Sequence, residues 1–475
     1  MNPEQNGAHT TKSKDRLPRK RKAAFGAGLM SYSLMNNGFT EMLYPFFNVC
    51  LGLNPVIIGW VTAGSRLYDA VTDPLMGSIS DNTRSRMGRR RPYIGLGGLL
   101  GGLFFALLWW APRGASDALY LGWLIGGSLL LYTAFTIFAV PYIAMSFELT
   151  PDYHERTRVM AYKVATGIVG GLAVATIYWI TQRSIFTDTI DGMRWVGIGT
   201  GLVIIAFAIL PTFFVKEHPM ALRANNQEKV PLLESLKATF SRRSFLLVIG
   251  ITVFLLISLS LVRFLGFYVN LYYVFGGDES ASANVYLAAG WAREGSSLLS
   301  IPLVTWVSSH LGKRRTLFIF LSLALIGTLS KWVLYTPAVP YLQVIPNALM
   351  GAGMGATWLL INAMIPEICD EDELQTGVRR QGMFSGVYSW VSKTGLALSL
   401  AGTGYILHLT GFSADLGGNQ AASTIWWMRF WFTCIPAIGF ILSFIGLAQY
   451  PITEESAYRT RDLLEARNNN KPIET

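Results

Sequence analysis

The sequence has few charged residues. Only 14% of its 475 residues are Asp, Glu, Lys or Arg, whereas a soluble domain carries about 25%. The charges lie in short clusters between long apolar stretches, and 51% of the residues are hydrophobic. This pattern excludes an ordinary soluble domain and indicates an all-α protein that crosses a membrane many times.

Residues typical of catalytic and metal sites are also scarce. The three cysteines, Cys50, Cys369 and Cys434, lack the spacing of metal ligands, so we assign them a structural role. The five histidines are scattered, and no nucleophile–base grouping or phosphate-binding glycine loop is visible. The protein is therefore not expected to be an enzyme or to carry a cofactor.

A cleavable signal peptide is not evident at the N-terminus. The basic run at 19–22 precedes an apolar segment that is too long for a signal peptide and has no A-x-A cleavage site. We therefore interpret residues 1–23 as a cytoplasmic tail.

Windows of about twenty apolar residues predict twelve transmembrane helices in two halves of six. The halves are 24–215 and 244–449, separated by a polar cytoplasmic linker at 216–243 that includes a surface helix from Pro231 onward, and 450–475 forms a second tail. Two-half bundles of this kind usually bind substrate between the halves near the bilayer midplane. The predicted spans are 24–48, 56–80, 93–111, 119–146, 159–181, 194–215, 244–272, 283–309, 316–336, 340–365, 382–409 and 424–449.

The lysines and arginines fall mainly in alternate loops. With the N-terminus inside, 30 of the 39 lie on the inner side, six lie within spans, and only Arg113, Arg183 and Arg194 lie outside. The positive-inside rule then places both termini in the cytoplasm of a multi-pass protein of the cell (inner) membrane. This distribution also explains the net charge of +10 without a nucleic-acid partner.

Predicted span two contains two acidic residues. Asp69 and Asp73 are four residues apart, so both carboxylates lie on one helix face. One interpretation pairs Asp69 with Arg66, which leaves Asp73 without an evident partner on its own helix. The other is a cation held by both carboxylates and nearby hydroxyl groups.

Residues 66–93 read RLYDAVTDPLMGSISDNTRSRMGRRRPY. This segment resembles the span-two signature of the melibiose permease group, in the glycoside–pentoside–hexuronide branch of the major facilitator superfamily. Residues 141–156 and 366–382 resemble two further segments of that family. The resemblance implies the major facilitator fold and cation-coupled symport of a sugar, glycoside or uronide by alternating access.

The resemblance also implies roles for individual residues. Asp69 and Asp73 would bind Na⁺ or H⁺, with hydroxyls from Thr72 and Thr136, and would be the metal ligands if the ion is Na⁺. Lys393 matches a family lysine near both sites, and our own hypothesis is that it pairs with Asp69 or Asp73 when the cation is absent. The expected substrate-binding residues are Ser33, Asn37, Lys163, Trp358 and Lys393, and the expected gating residues are Arg66, Asp81, Arg89 and Arg90.

Three positions depart from the family pattern. Ser33 and Ala139 stand where melibiose-type carriers have two sugar-binding aspartates, and Ile143 replaces an aromatic residue. Galactoside binding by the familiar geometry is therefore not expected, because its strongest hydroxyl acceptors are missing. The polar residues of span one, including Asn37, form either a relocated sugar site or a hydrated wall.

Other substrates remain open at this point. Related animal lysolipid carriers also keep the span-two aspartates without the sugar-binding pair, so an amphipathic lysolipid-like substrate is the alternative. Arg263, Arg293 and Lys331, with Glu294, form either structural ion pairs or a surface for an anionic substrate. The expected partners are a small-molecule substrate and membrane lipid, and a monomer is expected.

Overall fold

A computed structural model describes residues 17–149, 153–215, 242–377, 381–413 and 416–468. Within these ranges the regular secondary structure is entirely helical. The α-helices are α1 Arg19–Ser33, α2 Phe39–Tyr44, α3 Pro55–Asn82, α4 Arg91–Leu108, α5 Asp117–Glu148, α6 Tyr153–Thr181, α7 Thr189–Phe214, α8 Arg243–Leu261, α9 Leu265–Tyr268, α10 Glu279–Leu334, α11 Val344–Thr376, α12 Gln381–Leu409, α13 Ala422–Ala448 and α14 Glu454–Asn468.

Eight helical segments of the described chain are long and apolar enough to cross a membrane. Helix α3 is not among them, and its Arg66, Asp69 and Asp73 lower its hydropathy. The eight segments are Arg91–Leu108, Asp117–Ser146, Arg158–Thr181, Thr189–Phe214, Arg243–Val274, Glu279–Leu334, Pro340–Thr376 and Ala422–Ala448.

The first predicted span, 24–48, is helical but interrupted. Two π-helical turns, Leu34–Gly38 and Pro45–Cys50, flank the short helix α2. A π-helical turn contains more residues than an α-helical turn, so it rotates the side chains that follow it, and such turns are frequent at functional sites. Asn36 and Asn37 lie within the first of them.

Predicted spans eight and nine lie in one helical run, α10, of 56 residues. The break between them is Gly312, with φ 75° and ψ 160°. Glycine adopts this backbone conformation without the steric cost of a Cβ atom. The connection between the two spans is therefore a local kink, shorter than the loop that the sequence predicts.

The chain forms two compact units. The first comprises Met1–Phe46, Val71–Thr181 and Ile185–Glu228, and the second comprises Phe47–Ala70, Gln182–Ser184 and Lys229–Thr475. The predicted linker and its surface helix fall largely on 216–241, outside the described residues.

Small residues allow close helix packing in the first unit. A Cβ atom added at Gly97 of α4 would lie 2.4 Å from the Phe138 amide nitrogen of α5. One added at Gly102 would lie 2.4 Å from the Gly201 carbonyl oxygen of α7. Because dispersion and close packing replace the hydrophobic effect between membrane helices, these glycines hold the three helices together.

The second unit contains an apolar core formed mainly by α8, α10, α11, α12 and α13. Phe245 of α8 and Phe384 of α12 meet edge to face there, with ring centroids 4.8 Å apart. Helix α14, within the predicted tail 450–475, packs on α11, where Arg467 Nη2 lies 3.6 Å from Glu373 Oε1. The sequence did not predict this terminal helix.

Candidate cation and substrate site

Helix α3 carries both predicted cation-binding carboxylates. Asp69 is 2% exposed, whereas Asp73, one turn further on, is half-buried. The helix passes from the second unit to the first between Ala70 and Val71. Two hydroxyl side chains near the start of this helix form hydrogen bonds to its own backbone. Thr62 and Ser65 donate to carbonyl oxygens one turn earlier, at 2.7 and 2.9 Å.

Asp69 forms an ion pair in the second unit. Lys393 Nζ of α12 lies 3.6 Å from Asp69 Oδ2. The aspartate side chain is 3% exposed and the lysine side chain 38% exposed. The positive charge of Lys393 thus compensates a carboxylate that burial alone would disfavour.

The two predicted threonines meet in the first unit. Thr72 Oγ1 of α3 and Thr136 Oγ1 of α5 are 3.3 Å apart, and Thr136 is 2% exposed. Hydroxyl and carboxylate oxygens are the ligands that hard cations prefer. Among the described residues, neither α3 nor any other part of the chain presents a group of three or more His, Cys, Asp or Glu residues that could hold a metal ion.

The predicted substrate residues of span one lie on two successive segments. Ser33 ends α1 and is buried against α6, where a Cβ atom added at Gly170 would lie 2.9 Å from Ser33 Cβ. Asn37 is half-buried in the π-helical turn. Beside it, Asn36 Oδ1 is buried with no hydrogen-bond partner in the described part of the chain, so this acceptor is available to a ligand hydroxyl.

Lys163 and Trp358 lie in different units. The Lys163 ammonium of α6 lies 5.3 Å from the ring centroid of Tyr142, whose hydroxyl donates to the Phe25 carbonyl oxygen at 2.9 Å. Trp358 is half-buried on α11 in the second unit.

The residues that replace the sugar-binding pattern on α5 differ in exposure. Ala139 is buried, whereas Ile143 is 38% exposed on the same helix as Thr136. An apolar side chain therefore stands where the family presents an aromatic ring.

The predicted gating residues lie along α3 and in the segment that follows it. Arg66 is half-buried on the helix, and Arg89 and Arg90 follow a turn in which Gly88 has φ 107°. Arg90 is 4% exposed. The side chain of Asp81 lies outside the described residues.

Arg91, the next residue, was not singled out from the sequence. Its Nε donates to the Thr212 carbonyl oxygen at 2.6 Å and its Nη2 donates to that of Phe213 at 3.1 Å. These carbonyl groups belong to the last turn of α7, which lacks internal donors, so Arg91 acts as a cap. In the sequence, the position of Arg91 directly after Arg89 and Arg90 could have indicated that it also has a structural or functional role.

A set of buried polar residues in the second unit was also missed. Tyr268 donates a hydrogen bond to Asn48 Oδ1. Gln343 Nε2 donates to Asn270 Oδ1 at 2.9 Å, and Asn270 Nδ2 donates to the Ser282 carbonyl oxygen at 3.1 Å. The sequence shows these amide side chains within apolar segments, but it does not show which groups they contact.

Comparison with known proteins identifies the chain's family. The profile of the family described as MFS/sugar transport protein matches residues 24–454. The chain belongs to this family. It is therefore a multi-pass membrane transporter of the major facilitator superfamily, as the resemblance of residues 66–93 implied.

Curated relatives resemble the chain along nearly their full length. An uncharacterized symporter from Synechocystis is 27% identical, with 97% of this chain and 99% of the relative covered. An isoprimeverose transporter from Lactiplantibacillus pentosus is 23% identical, with 91% and 88% covered. A sodium-dependent lysophosphatidylcholine symporter from Gallus gallus is 22% identical, with 95% and 90% covered.

Proposed function

We propose that this transporter couples uptake of a sugar, glycoside or uronide to Na⁺ or H⁺ through Asp69 and Asp73, by alternating access. The observation that carries the proposal is the two carboxylates one turn apart on α3, with Asp69 buried and paired to Lys393. Ionisable side chains within membrane helices are costly and usually serve transport. The symporters among its relatives support a coupling ion.

The Asp69–Lys393 pair suggests how coupling works. Without a cation, Lys393 neutralises Asp69. An entering cation competes with that ammonium for the carboxylate, and Asp73, Thr72 and Thr136 offer further oxygen atoms. Once the carboxylates are neutralised, the loaded carrier changes conformation at lower electrostatic cost, which favours moving cation and substrate together.

The complete bundle of this proposal has twelve membrane helices and both termini in the cytoplasm. Eight described segments meet the length and hydropathy of a span, and one of them, Glu279–Leu334, is broken at Gly312 into two. The interrupted first span, α3 and α12 supply the other three. Their polar side chains lower their hydropathy, as expected for helices that contribute to a binding site.

Sugar binding draws on the polar groups of span one. Ser33, Asn37 and the unpartnered Asn36 Oδ1 are suited to hydroxyl groups, and Lys163, Trp358 and Lys393 are the proposed remaining contacts. The relative named for isoprimeverose supports a saccharide substrate. Arg66, Asp81, Arg89 and Arg90 are proposed to act in gating rather than in substrate binding.

A lysolipid is the second candidate substrate. The exposed Ile143 and the buried Ala139 make the wall of α5 more apolar than a sugar site requires. The lysophosphatidylcholine symporter from Gallus gallus adds weight to this candidate. Because the family as a whole is described by sugar transport, the saccharide remains the favoured substrate.

The test is uptake into proteoliposomes by the wild type and by Asp73→Asn. Radiolabelled glycosides, uronides and lysophosphatidylcholine are supplied under an imposed Na⁺ gradient or an imposed pH gradient. We expect Asp73→Asn to abolish gradient-driven accumulation while exchange of substrate persists, because the variant keeps the helix but loses one cation ligand. Asp117→Asn, an exposed carboxylate at the start of α5, is the matched control.

Accumulation by Asp73→Asn at the wild-type level would contradict the coupling role. If lysophosphatidylcholine is the only one of these substrates that is taken up, a lysolipid replaces the sugar as the assigned substrate. The gradient that drives accumulation identifies the coupling ion.

A further inference from the structure

Two arginines near the beginnings of α7 and α13 have no role in the proposed transport function. They are Arg194 and Arg429, and both side chains are partly exposed. Among the residues that the structure describes, no carboxylate lies at ion-pair distance from either guanidinium. Asp191, one turn before Arg194, instead accepts a hydrogen bond from the Thr187 amide at 3.4 Å.

Arg194 joins the beginning of α7 to the end of α4. Its Nη2 donates to the carbonyl oxygen of Ala111, just beyond α4, at 2.6 Å. Its guanidinium carbon lies 5.4 Å from the ring centroid of Trp110. Trp195 meets the same ring with 6.3 Å between centroids, and the two tryptophans are 40% and 54% exposed.

Arg429 makes the same contacts in the second unit. Its Nη2 donates to the carbonyl oxygen of Trp332, in the last turn of α10, at 2.6 Å. Its guanidinium carbon lies 4.8 Å from the Trp332 ring centroid and 4.2 Å from that of Tyr273. The exposed Trp426 meets the Trp332 ring with 6.0 Å between centroids. One arrangement therefore occurs twice, between predicted spans three and six and between spans nine and twelve.

Most hydrogen-bond donors of these two arginines are unused. A guanidinium carries five N–H groups, and each of these donates one of them, to a helix-end carbonyl oxygen. Both Nε atoms are buried without an acceptor in the described chain, so the donors left for a ligand are those of the Nη atoms. The end of a helix carries about half a negative charge, which balances each arginine only in part.

The surroundings of each guanidinium are those of a membrane interface. Tryptophan and tyrosine are enriched at the level of the lipid headgroups. Further toward the middle of the same helices the exposed side chains are apolar, and they include Leu107, Leu202, Ile326 and Leu329. A positive charge beside exposed aromatic rings and above an apolar surface is suited to the phosphate of a lipid whose acyl chains cover that surface.

We propose that Arg194 and Arg429 each bind the phosphate group of a membrane phospholipid, with the neighbouring tryptophans against its glycerol region. A phosphodiester supplies the single negative charge that each arginine lacks, and a guanidinium forms paired hydrogen bonds with phosphate oxygens. The stacked ring and the capped carbonyl group hold the guanidinium in place for this contact. In the predicted topology both sites face the outer leaflet. This lipid partner is independent of the transported substrate.

The test counts lipids bound to the delipidated protein by native mass spectrometry. The protein is titrated with dioleoylphosphatidylglycerol or with diglucosyl dioleoylglycerol, an uncharged lipid that has the same acyl chains. We expect two sites that bind the phospholipid about tenfold or more tightly than the glycolipid, as charge-assisted hydrogen bonds allow. Millimolar inorganic phosphate should not displace the phospholipid, because it lacks the acyl chains.

Variants separate lipid binding from a purely structural cap. Arg194→Gln and Arg429→Gln should each lose one of the two phospholipids, and the double variant should lose both. Glutamine can still donate to the helix-end carbonyl oxygen, so the cap is kept in part. Arg429→Lys should retain its phospholipid because it keeps the charge. Arg113→Gln is the matched control, since Arg113 already pairs with Asp188 at 2.9 Å, and it should keep both lipids.

Several outcomes would overturn the proposal. They are equal affinity for phospholipid and glycolipid, an unchanged number of bound phospholipids in the double variant, and displacement by inorganic phosphate, which would assign the sites to free phosphate. Arginines that act only as caps predict a lower Tm with both lipids and no change in lipid number. If one variant does not fold, the other decides the question, because the two sites lie in different units.

Discussion

Asp69 and Lys331 are both ionisable side chains buried in membrane helices, and different groups face them. Asp69 pairs with the ammonium of Lys393 on another helix. Lys331 faces the Phe432 ring, and such a contact offsets about 2 kcal/mol when desolvated. The effective penalty for burying an ion is several kcal/mol. The buried Asp69–Lys393 pair is therefore in keeping with the proposed role of Asp69 in cation coupling.

The Asp69–Lys393 pair leads to a prediction about cation-dependent stability. Lys393→Met should lower the Tm by a few degrees in choline buffer, because removing one partner leaves a buried carboxylate uncompensated. Saturating Na⁺, or a lower pH for a proton-coupled carrier, should restore most of the loss. The measurement is differential scanning fluorimetry in choline, in Na⁺ and at two pH values.

A matched control is available in the same unit. Lys313 pairs with Glu367, far along the chain from α3. Lys313→Met should lower the Tm equally in every buffer. If Lys393→Met behaves in the same way, Lys393 is a structural partner and does not compete with the cation.

The sequence was sufficient to predict candidate residues, and Lys393 as the partner of one aspartate, but not most of the other side-chain contacts. Asp69 and Asp73 stand out as carboxylates in an apolar segment, and their spacing places them on one face. The hydrogen bond between Tyr268 and Asn48 joins residues 220 positions apart, and neither sequence segment specifies the other. The oxygen pair of Thr72 and Thr136 was reached through family resemblance, because a threonine in a helix is unremarkable by composition.

At the scale of elements, α3 and α12 pack against each other at two places within the second unit. A Cβ atom added at Gly404 would lie 2.3 Å from the Pro55 carbonyl oxygen. Further along, Lys393 meets Asp69. At a rise of 1.5 Å per residue, the two contacts are about 21 Å apart along α3 and about 17 Å apart along α12, and their reversed order fits an antiparallel pair. The backbone contact at Gly404 therefore helps to set the distance between the two charged groups.

This packing predicts the effect of a single methyl group. Gly404→Ala should destabilise the protein by about 1–3 kcal/mol, because the backbone of α3 must shift. It should also weaken the stabilisation by the coupling cation, since the Asp69 carboxylate moves with its helix. Gly64→Ala is the control within α3: a Cβ atom there meets nothing within 4 Å, so no loss of Tm is expected. Equal Tm values for the two variants would contradict this role of Gly404.

Element boundaries were predictable where hydropathy changes and unpredictable where only backbone geometry changes. The apolar segment 24–48 gives no sign of its two π-helical turns, because an added residue leaves the mean hydropathy unaltered. The junction of spans eight and nine is marked by the basic cluster after Gly312, but the short kink depends on the positive φ of that glycine. Helix α14 was missed because it is polar and held by Arg467 and by buried Leu464.

At the scale of the whole molecule, the loop charges define the proposed orientation. The two sides hold 30 and three basic residues, with six more inside predicted spans. Positively charged loops close to the membrane are retained on the cytoplasmic side during insertion. In this orientation Arg89 and Arg90 would face the cytoplasm and Arg113 would face the outside.

The orientation can be tested by labelling single cysteines in intact cells. In a variant whose three native cysteines are replaced, Asp117→Cys should react with a membrane-impermeant maleimide added outside. Met87→Cys should react only after the membrane is permeabilised, because its loop holds five arginines and stays inside. Both positions are exposed, so a difference in labelling reports the side of the membrane and not burial. The opposite pattern would invert the topology and would also make the Asp81–Arg90 region an outer rather than an inner gate.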